Sequence, residues 1–291
     1  MKKITDKEVE RICNMIREYI HDNEKIVIGV SGGIDSDVVA RLCAKAVSAE
    51  RIHLFLAIQE GMPQKRIHTV RELADELKCR LSLIDLSEMN TELIEKIHEA
   101  DPDNFNMNSF MDNHRAKCSL RTAVYSTYQD NDFIFCSTTN RTELELGTPM
   151  PFANMLGHIR PIIHLYKTQV YELAKLVGTR ESVLNQPPSA DFWEDEDDMD
   201  DLSYMLLNRK QVPGYRRFSA EEMETAQKIK EQISGYKIDL ALEAYSRHKN
   251  RQEIAECSGL SEDIVEAIGC LIEGAKLTKS RKILVNLEPE D

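Results

Sequence analysis

The chain has 291 residues, of which 42% are hydrophobic and 30% charged, a globular composition with length enough for one large domain or two modest ones. Its formal net charge of -13 excludes a general nucleic-acid binder, which needs a basic surface, while leaving room for a local basic pocket. No apolar run approaches a membrane span, and the first 20 residues lack the apolar centre of a signal peptide, so a cytoplasmic protein without membrane contact is expected.

Residues 5–21 place Val9, Ile12, Cys13, Ile16 and Ile20 at helical spacing. The β-branched run Ile26-Val27-Ile28-Gly29-Val30 then reads as a buried strand, followed at once by Ser31-Gly32-Gly33-Ile34-Asp35-Ser36 and a helix carrying Val38, Val39 and Leu42. A second strand is predicted over 52–58, a helix over 64–78 and a third strand over 81–86. Residues 90–100 look helical, the polar stretch 101–112 reads as a loop, 117–128 as a helix and 133–137 as a fourth strand. Strands alternating with helices imply an α/β fold with a parallel sheet, whose ligands sit at the carboxyl ends of the strands. Beyond residue 160 the pattern is helical: one helix around 165–177, one or two polar helices over 220–246, and a pair over 251–275 broken at Gly259-Leu260-Ser261. The seven cysteines (Cys13, Cys43, Cys79, Cys118, Cys136, Cys257 and Cys270) are odd in number and form no CxxC pair. They read as reduced thiols rather than a disulfide framework or a zinc site.

The turn after the first strand carries the chemistry. Gly32 and Gly33 let the backbone approach an anion without a Cβ in the way. The N–H groups of the following helix point at the same place, where the helix dipole favours negative charge. Ser31 and Ser36 add hydroxyl donors. Asp35 is a negative charge in a phosphate cradle, which makes sense when a cation such as Mg²⁺ bridges it to the phosphates. No Gly-Lys-Ser/Thr follows, so this is not a Walker A loop, and it is not the dinucleotide GxGxxG.

The string SGGIDS resembles the pyrophosphate loop of the N-type ATP pyrophosphatases, which split ATP into AMP and pyrophosphate. Further blocks resemble, in order and approximate spacing, the NAD synthase branch of that superfamily. They are Asn113-His114-Arg115-Ala116-Lys117, Ser137-Thr138-Thr139-Asn140-Arg141-Thr142-Glu143, Gly147, Pro161-Ile162, Leu165-Tyr166-Lys167-Thr168-Gln169-Val170 and Pro188-Ser189-Ala190. The likeness covers about 5–205 and resumes over about 252–284.

The resemblance implies a doubly wound, Rossmann-like sheet of the adenine nucleotide alpha hydrolase type with helices on both faces. It divides the chain into a catalytic part, 1–205, and a helical C-terminal extension with a basic tail, 206–291, packed on it. It implies ATP binding by Gly29, Ser31, Gly32, Gly33, Asp35, Ser36, Thr139, Lys167 and Ser189, with Asp35, Lys167 and Ser189 catalytic. Asp35 and Glu143 are the implied Mg²⁺ ligands, and Asn113, Arg115, Lys117 and Asn140 the implied substrate contacts. The implied reaction adenylates the carboxylate of deamido-NAD and amidates it with ammonia, either free or from a separate glutaminase. The implied assembly is a homodimer.

The acceptor side departs from the family. Where the family writes GYxTKYGD, this chain reads Gly147-Thr148-Pro149-Met150-Pro151-Phe152-Ala153-Asn154. His158 stands where the family has an Asp before the PI block, and Ser119 replaces an Arg. Eight acids in 191–201 read as a solvated loop, and an insertion of charged helical character spans about 207–250. Three functions stay open on the sequence: NAD synthesis, an amide ligase of the same fold for another small carboxylic acid, and a nucleotide-binding protein without catalysis. The paired acids and Lys167 argue against the last.

Overall fold

The computed structural model describes residues 1–105, 110–148, 157–186, 197–210 and 218–280, with the backbone alone in 110–115 and 277–280. The β-branched runs become strands β1 (Lys25–Gly29), β2 (Ile52–Ile58), β3 (Arg80–Asp85) and β4 (Phe133–Phe135). Among the described residues they form one parallel sheet in the order β3-β2-β1-β4, with Ile26 paired to Ile52 on one side and Ile134 on the other. The chain therefore moves outward from β1 through β2 to β3, then returns to the far side of β1. That reversal opens a crevice at the carboxyl ends of β1 and β4. β4 is shorter than expected, ending at Phe135; Cys136 still donates its N–H to the Val27 carbonyl of β1 at 3.1 Å and bridges in parallel to Ile159 on its other side.

The strand period of two sorts the core. Ile26, Ile28, Leu54 and Leu56 face a cluster with Ile12 and Ile16 of α1 (Asp6–Tyr19), Val38, Val39 and Leu42 of α2 (Ile34–Ala46), Ile67 and Val70 of α3 (Gln64–Leu77), and Val170 and Leu173 of α7 (Lys167–Val177). Val27, Phe55, Ala57 and Phe135 face the other way, onto Leu120, Val124, Tyr125 and Tyr128 of α5 (Phe110–Gln129), beside which α4 (Ser87–Ala100) packs. The expected helices on both faces are present. α5 begins at Phe110, seven residues before its expected start (117 − 110), because no Gly or Pro interrupts the chain from there to Gln129.

The remaining helices are α6 (Arg141–Leu146), α8 (Glu181–Leu184), α9 (Asp198–Asn208), α10 (Ala220–Gln232), α11 (Gly235–Ser246), α12 (Arg251–Ser258) and α13 (Glu262–Ser280). Leu202, Leu206, Ile238, Leu242, Ile254, Val265, Ile268 and Leu271 build a second core from α9 and α11–α13, which also takes in Leu146 of α6 and Tyr166 before α7. The C-terminal helices are thus packed on α6 and the start of α7, which flank the crevice.

The acidic run is a correction. Residues 197–201 are not a solvated loop but the start of α9. Asp197 caps the helix, accepting from the N–H of Met199 (2.8 Å) and Asp200 (3.1 Å), while Asp200 accepts from the Asp197 N–H at 2.7 Å. Acids at a helix N-terminus complement its dipole, and Lys230 pairs with Asp200 at 2.6 Å. Residues 191–196 lie outside the described residues. All seven cysteines are free thiols, five of them buried. No helix among the described residues is long and apolar enough to cross a membrane.

Gly29, expected among the ATP-binding residues, ends β1 where α5 crosses it. A Cβ there would meet the Tyr125 hydroxyl oxygen at 2.0 Å and the Phe55 ring at 3.3 Å. Gly29→Ala is therefore expected to destabilise the protein by about 2–3 kcal/mol through overpacking. Denaturant unfolding measures this, and adding Tyr125→Phe should recover part of the loss.

Candidate active site

The turn after β1 holds its own shape. Ser31 donates its N–H to Ser36 Oγ (3.2 Å), Ser36 donates its hydroxyl to the Gly33 carbonyl (3.0 Å), and the Gly33 N–H reaches Ser31 Oγ (3.3 Å). Gly32 sits at φ 78°, and a Cβ there would lie 3.2 Å from the Arg66 carbonyl oxygen. Its own carbonyl accepts from Arg66 Nη1 at 3.2 Å. Gly33 is the N-cap of α2 and offers no capping side chain, so the first N–H groups of the helix are available to an anion.

Of the two acids in the first turn of α2, only Asp35 faces the crevice. Asp37 is buried, accepting from Arg41 Nε and from the Thr179 hydroxyl, each at 2.7 Å. Arg41 in turn grips Glu76 through both nitrogens, at 2.6 and 2.9 Å. This network fixes α2 to α3 and does not involve Asp35.

Asp35 is bonded by groups more than 100 residues away. Asn140 Nδ2 donates to one of its oxygens at 3.0 Å, and the Lys167 ammonium is paired with the other. Asn140 is also the N-cap of α6: its Oδ1 accepts from the Glu143 N–H at 3.0 Å, and Glu143 returns a carboxylate to the Asn140 N–H at 3.2 Å. Asn140 is fully buried, and both ends of its amide are engaged in these bonds. The capping box thereby locks Glu143 beside Asp35. Ser137 and Thr139, at the exit of β4, are buried and hydrogen-bonded to each other at 3.3 Å. Lys167 opens α7, and its side chain and that of Asp35 keep 16% and 17% of their surface exposed, which leaves both reachable from the crevice.

The charges are unbalanced. Asp35, Glu143 and Asp198 act on one another and on Lys167, the cation paired within the cluster. Burial and the Asp35 charge push the Glu143 carboxyl up to about 8, against the pull of Lys167 and the Asn140 N–H. Burial also raises Asp198, with Asp35 and Asp197 adding to it and Lys167 and Arg66 opposing. Burial alone would lower Lys167, but Asp35, Glu143 and Asp198 together hold its ammonium above the usual lysine range. A surplus of carboxylate oxygen in a crevice fits a hard divalent cation. No three or more acids, cysteines or histidines among the described residues converge into an all-protein cage.

The raised Glu143 has a measurable consequence. Between its ordinary 4.5 and about 8 the folded protein holds this proton and the unfolded chain does not. Stability on this account falls as pH rises through that window. Glu143→Gln removes the effect, so its melting temperature is expected to exceed that of the wild type by about 2–5 °C at pH 8 without metal, and by much less at pH 5. Thermal melts at the two pH values check this.

The other expected site residues fall elsewhere. Lys117 lies on α5, its Nζ donating to the Glu60 carbonyl past the end of β2 at 3.5 Å. The side chains of Asn113 and Arg115, and all of Ser189 and of 149–154, lie outside the described residues. His158, where the family has an acid, uses Nδ1 to accept the Phe135 N–H at 2.9 Å and so serves the edge of β4. Sequence reasoning missed Arg66 and Asp198. The pattern Asp197-x-x-Asp200 followed by Leu202, Met205 and Leu206 is a capped amphipathic helix, and that signal places Asp198 in a first turn.

A family model described as NAD synthase matches residues 8–233, well over half of the chain. The chain belongs to the NAD synthase family. It is 32% identical over 205 residues to the NH3-dependent NAD+ synthetase of Pyrococcus horikoshii, covering 70% of this chain and 76% of the relative. It is 28% identical over 272 residues to that of Pyrococcus furiosus, covering 92% and 91%. Its fold is similar to the structure of NMN synthetase from Francisella tularensis, with a TM-score of 0.72, 19% identity and 98% of each chain covered. It is also similar to NH3-dependent NAD synthetase from Campylobacter jejuni, solved with nitrate, with a TM-score of 0.68, 18% identity and 97% and 98% covered. As a member of the NAD synthase family this chain is an ATP-utilising ligase of that family or a close relative.

Proposed function

We propose that this protein joins ammonia to the carboxylate of deamido-NAD, giving NAD, AMP and pyrophosphate. The observation that supports this best is the contact of Asp35 with both Asn140 and Lys167 beside the Ser31–Ser36 turn. In the first step the acceptor carboxylate attacks the α-phosphorus of ATP, the bond to the bridging oxygen breaks, and pyrophosphate leaves. In the second, ammonia attacks the acyl carbon of the adenylate, loses a proton and expels AMP.

The Ser31–Ser36 turn and the first turn of α2 cradle the phosphates, and the family resemblance assigns Thr139 to the nucleotide and Ser189 to the phosphates. Lys167 neutralises charge that accumulates on the departing pyrophosphate. Asp35 and Glu143 would hold Mg²⁺, which when bound adds to that neutralisation. Asn140 acts by fixing Asp35 and Glu143, and the family resemblance assigns Asn113, Arg115 and Lys117 to the acceptor. The work is alignment and charge stabilisation, without a covalent enzyme intermediate. A homodimer in the cytoplasm, fed by free ammonia or by a separate glutaminase, completes this reading.

A second acceptor deserves the same test. The replacement of the family's segment by Thr148 to Asn154, and the fold shared with a protein named NMN synthetase, favour the mononucleotide acid whose amide is NMN. The purified protein is incubated with Mg²⁺-ATP, ammonium and each acid in turn, and AMP, pyrophosphate and amide are followed by mass spectrometry. NAD formed in step with AMP supports the first reading. NMN formed at a much higher kcat/KM moves the acceptor to the mononucleotide. ATP binding with neither product would sink both.

A further inference from the structure

Asp239 is a buried acid that no part of the proposed chemistry uses. It sits on α11, in the helical addition and beyond the residues 8–233 that the family model matches, and it is fully buried between Ile238, Ala241 and Leu242, themselves buried. Its carboxylate accepts three hydrogen bonds. Oδ1 takes the Thr142 hydroxyl at 2.5 Å, and Oδ2 takes the N–H and the hydroxyl of Thr168 at 2.8 and 2.7 Å. The Thr142 oxygen in turn accepts the N–H of Lys167 at 2.8 Å.

These bonds solve a local problem. α7 opens at Lys167 after Tyr166, so the N–H groups of Lys167 and Thr168 have no partner within the helix. One carboxylate from another helix satisfies Thr168 directly and Lys167 through the Thr142 hydroxyl. It also places a negative charge at the positive end of the α7 dipole. Thr142 lies next to Glu143 on α6, so the same carboxylate ties together the two elements that carry Lys167 and Glu143. Burial holds the Asp239 carboxyl above its usual range, and the three donors and the Lys167 charge pull it back toward the ionised form. A buried charge with three donors in place is a rigid connector, and it would leave donors unpaired if removed.

We propose that Asp239 is a positioning residue for the reaction: from the helical addition it fixes the first turn of α7, and with it the Lys167 ammonium, against Asp35. The inference rests on the amide-ligase reading for its kinetic test but not for its structural one. The helix α11 then has a purpose at the site, because it brings the acceptor that holds the Lys167 end of α7.

The test uses the full chain and Asp239→Asn, which keeps the shape but turns two donor hydrogens toward Thr142 or Thr168. Expected is a fall in kcat of about 30-fold with KM for ATP within about twofold, because Lys167 is misplaced in the transition state more than in the bound complex. In the absence of ATP, acetylation of Lys167 by an N-hydroxysuccinimide acetate, read by peptide mass spectrometry, is expected to rise about fivefold. A folded variant with wild-type kcat and wild-type acetylation overturns the proposal. So does a lower melting temperature with unchanged kcat per folded molecule, which is the signature of a purely structural acid. If Asp239→Asn does not fold, Thr142→Val removes the bridging hydroxyl alone and carries the same two expectations at about fivefold. Should the wild type amidate no nicotinate nucleotide, the functional reading fails while the acetylation contrast still decides the positioning.

Discussion

Lys167→Met is expected to lower pyrophosphate release from Mg²⁺-ATP by about 10³-fold while the protein stays folded. Methionine has the length of the lysine stem, so α7 keeps its packing through Val170, Leu173 and Ala174, all of them buried. What is lost is the positive charge paired with Asp35 and felt by Glu143 and Asp198. Charge on the departing pyrophosphate then goes unneutralised at the step where it is largest. The same loss removes the pull that opposes the rise of Glu143 and Asp198. Both carboxyls should bind protons more tightly, and the variant should lose more stability than the wild type as pH is raised from 6 to 8. Pyrophosphate release at saturating ATP, with thermal melts at the two pH values, checks both halves. Turnover within tenfold of the wild type would shift the burden to Arg66, the cation that touches the Gly32 carbonyl.

The strands and the phosphate turn were legible because their signals are local. Ile26 to Ile28 form a short apolar run, two glycines follow, and a helical spacing resumes within six residues, Ser31 to Ser36. Asn140 and Glu143 could be read in the same way, as a cap and its third residue. α9 was hidden because acids were counted as solvated charge, whereas Asp197, Asp200 and Lys230 use them up as a cap and an ion pair. Gly29 could be read as a glycine but not as one shaped by Tyr125, which comes from a helix almost 100 residues on. Asp239 was invisible for the same reason: its partners Thr142 and Thr168 lie 97 and 71 residues away, and no period or spacing links them. Local order thus identifies the candidate phosphate turn, while the groups that hold its neighbours in place emerge only when the helices are packed.

The composition conceals a related division. A chain of net charge -13 has acids everywhere, so its acid count says nothing about a metal. What distinguishes Asp35 and Glu143 is that each is held by a buried amide, Asn140, whose donor fixes one and whose oxygen caps the helix of the other. Asn140→Ala would therefore cut two supports at once, and its effect should be read together with those of the acids it serves.

Asp35→Ala is expected to abolish Mg²⁺-dependent pyrophosphate release, a loss of at least about 10³-fold, without unfolding the protein. The side chain is not part of the core, and α2 keeps its anchors through Asp37, Arg41 and Glu76. Removing one of three neighbouring carboxylates relieves repulsion, and Glu143 is raised in part by the Asp35 charge. Glu143 should therefore ionise at lower pH in the variant, and the metal-free protein should lose less stability than the wild type between pH 6 and 8. The functional loss follows from the same deletion: Glu143 would be left to hold Mg²⁺ without Asp35, and Lys167 loses the partner that aims it. Glu143→Ala should match Asp35→Ala in turnover. The two should also share the loss of any rise in melting temperature that Mg²⁺ and ATP together give the wild type. Wild-type turnover in both variants would remove the metal from these residues and leave the phosphate turn as a binding device alone.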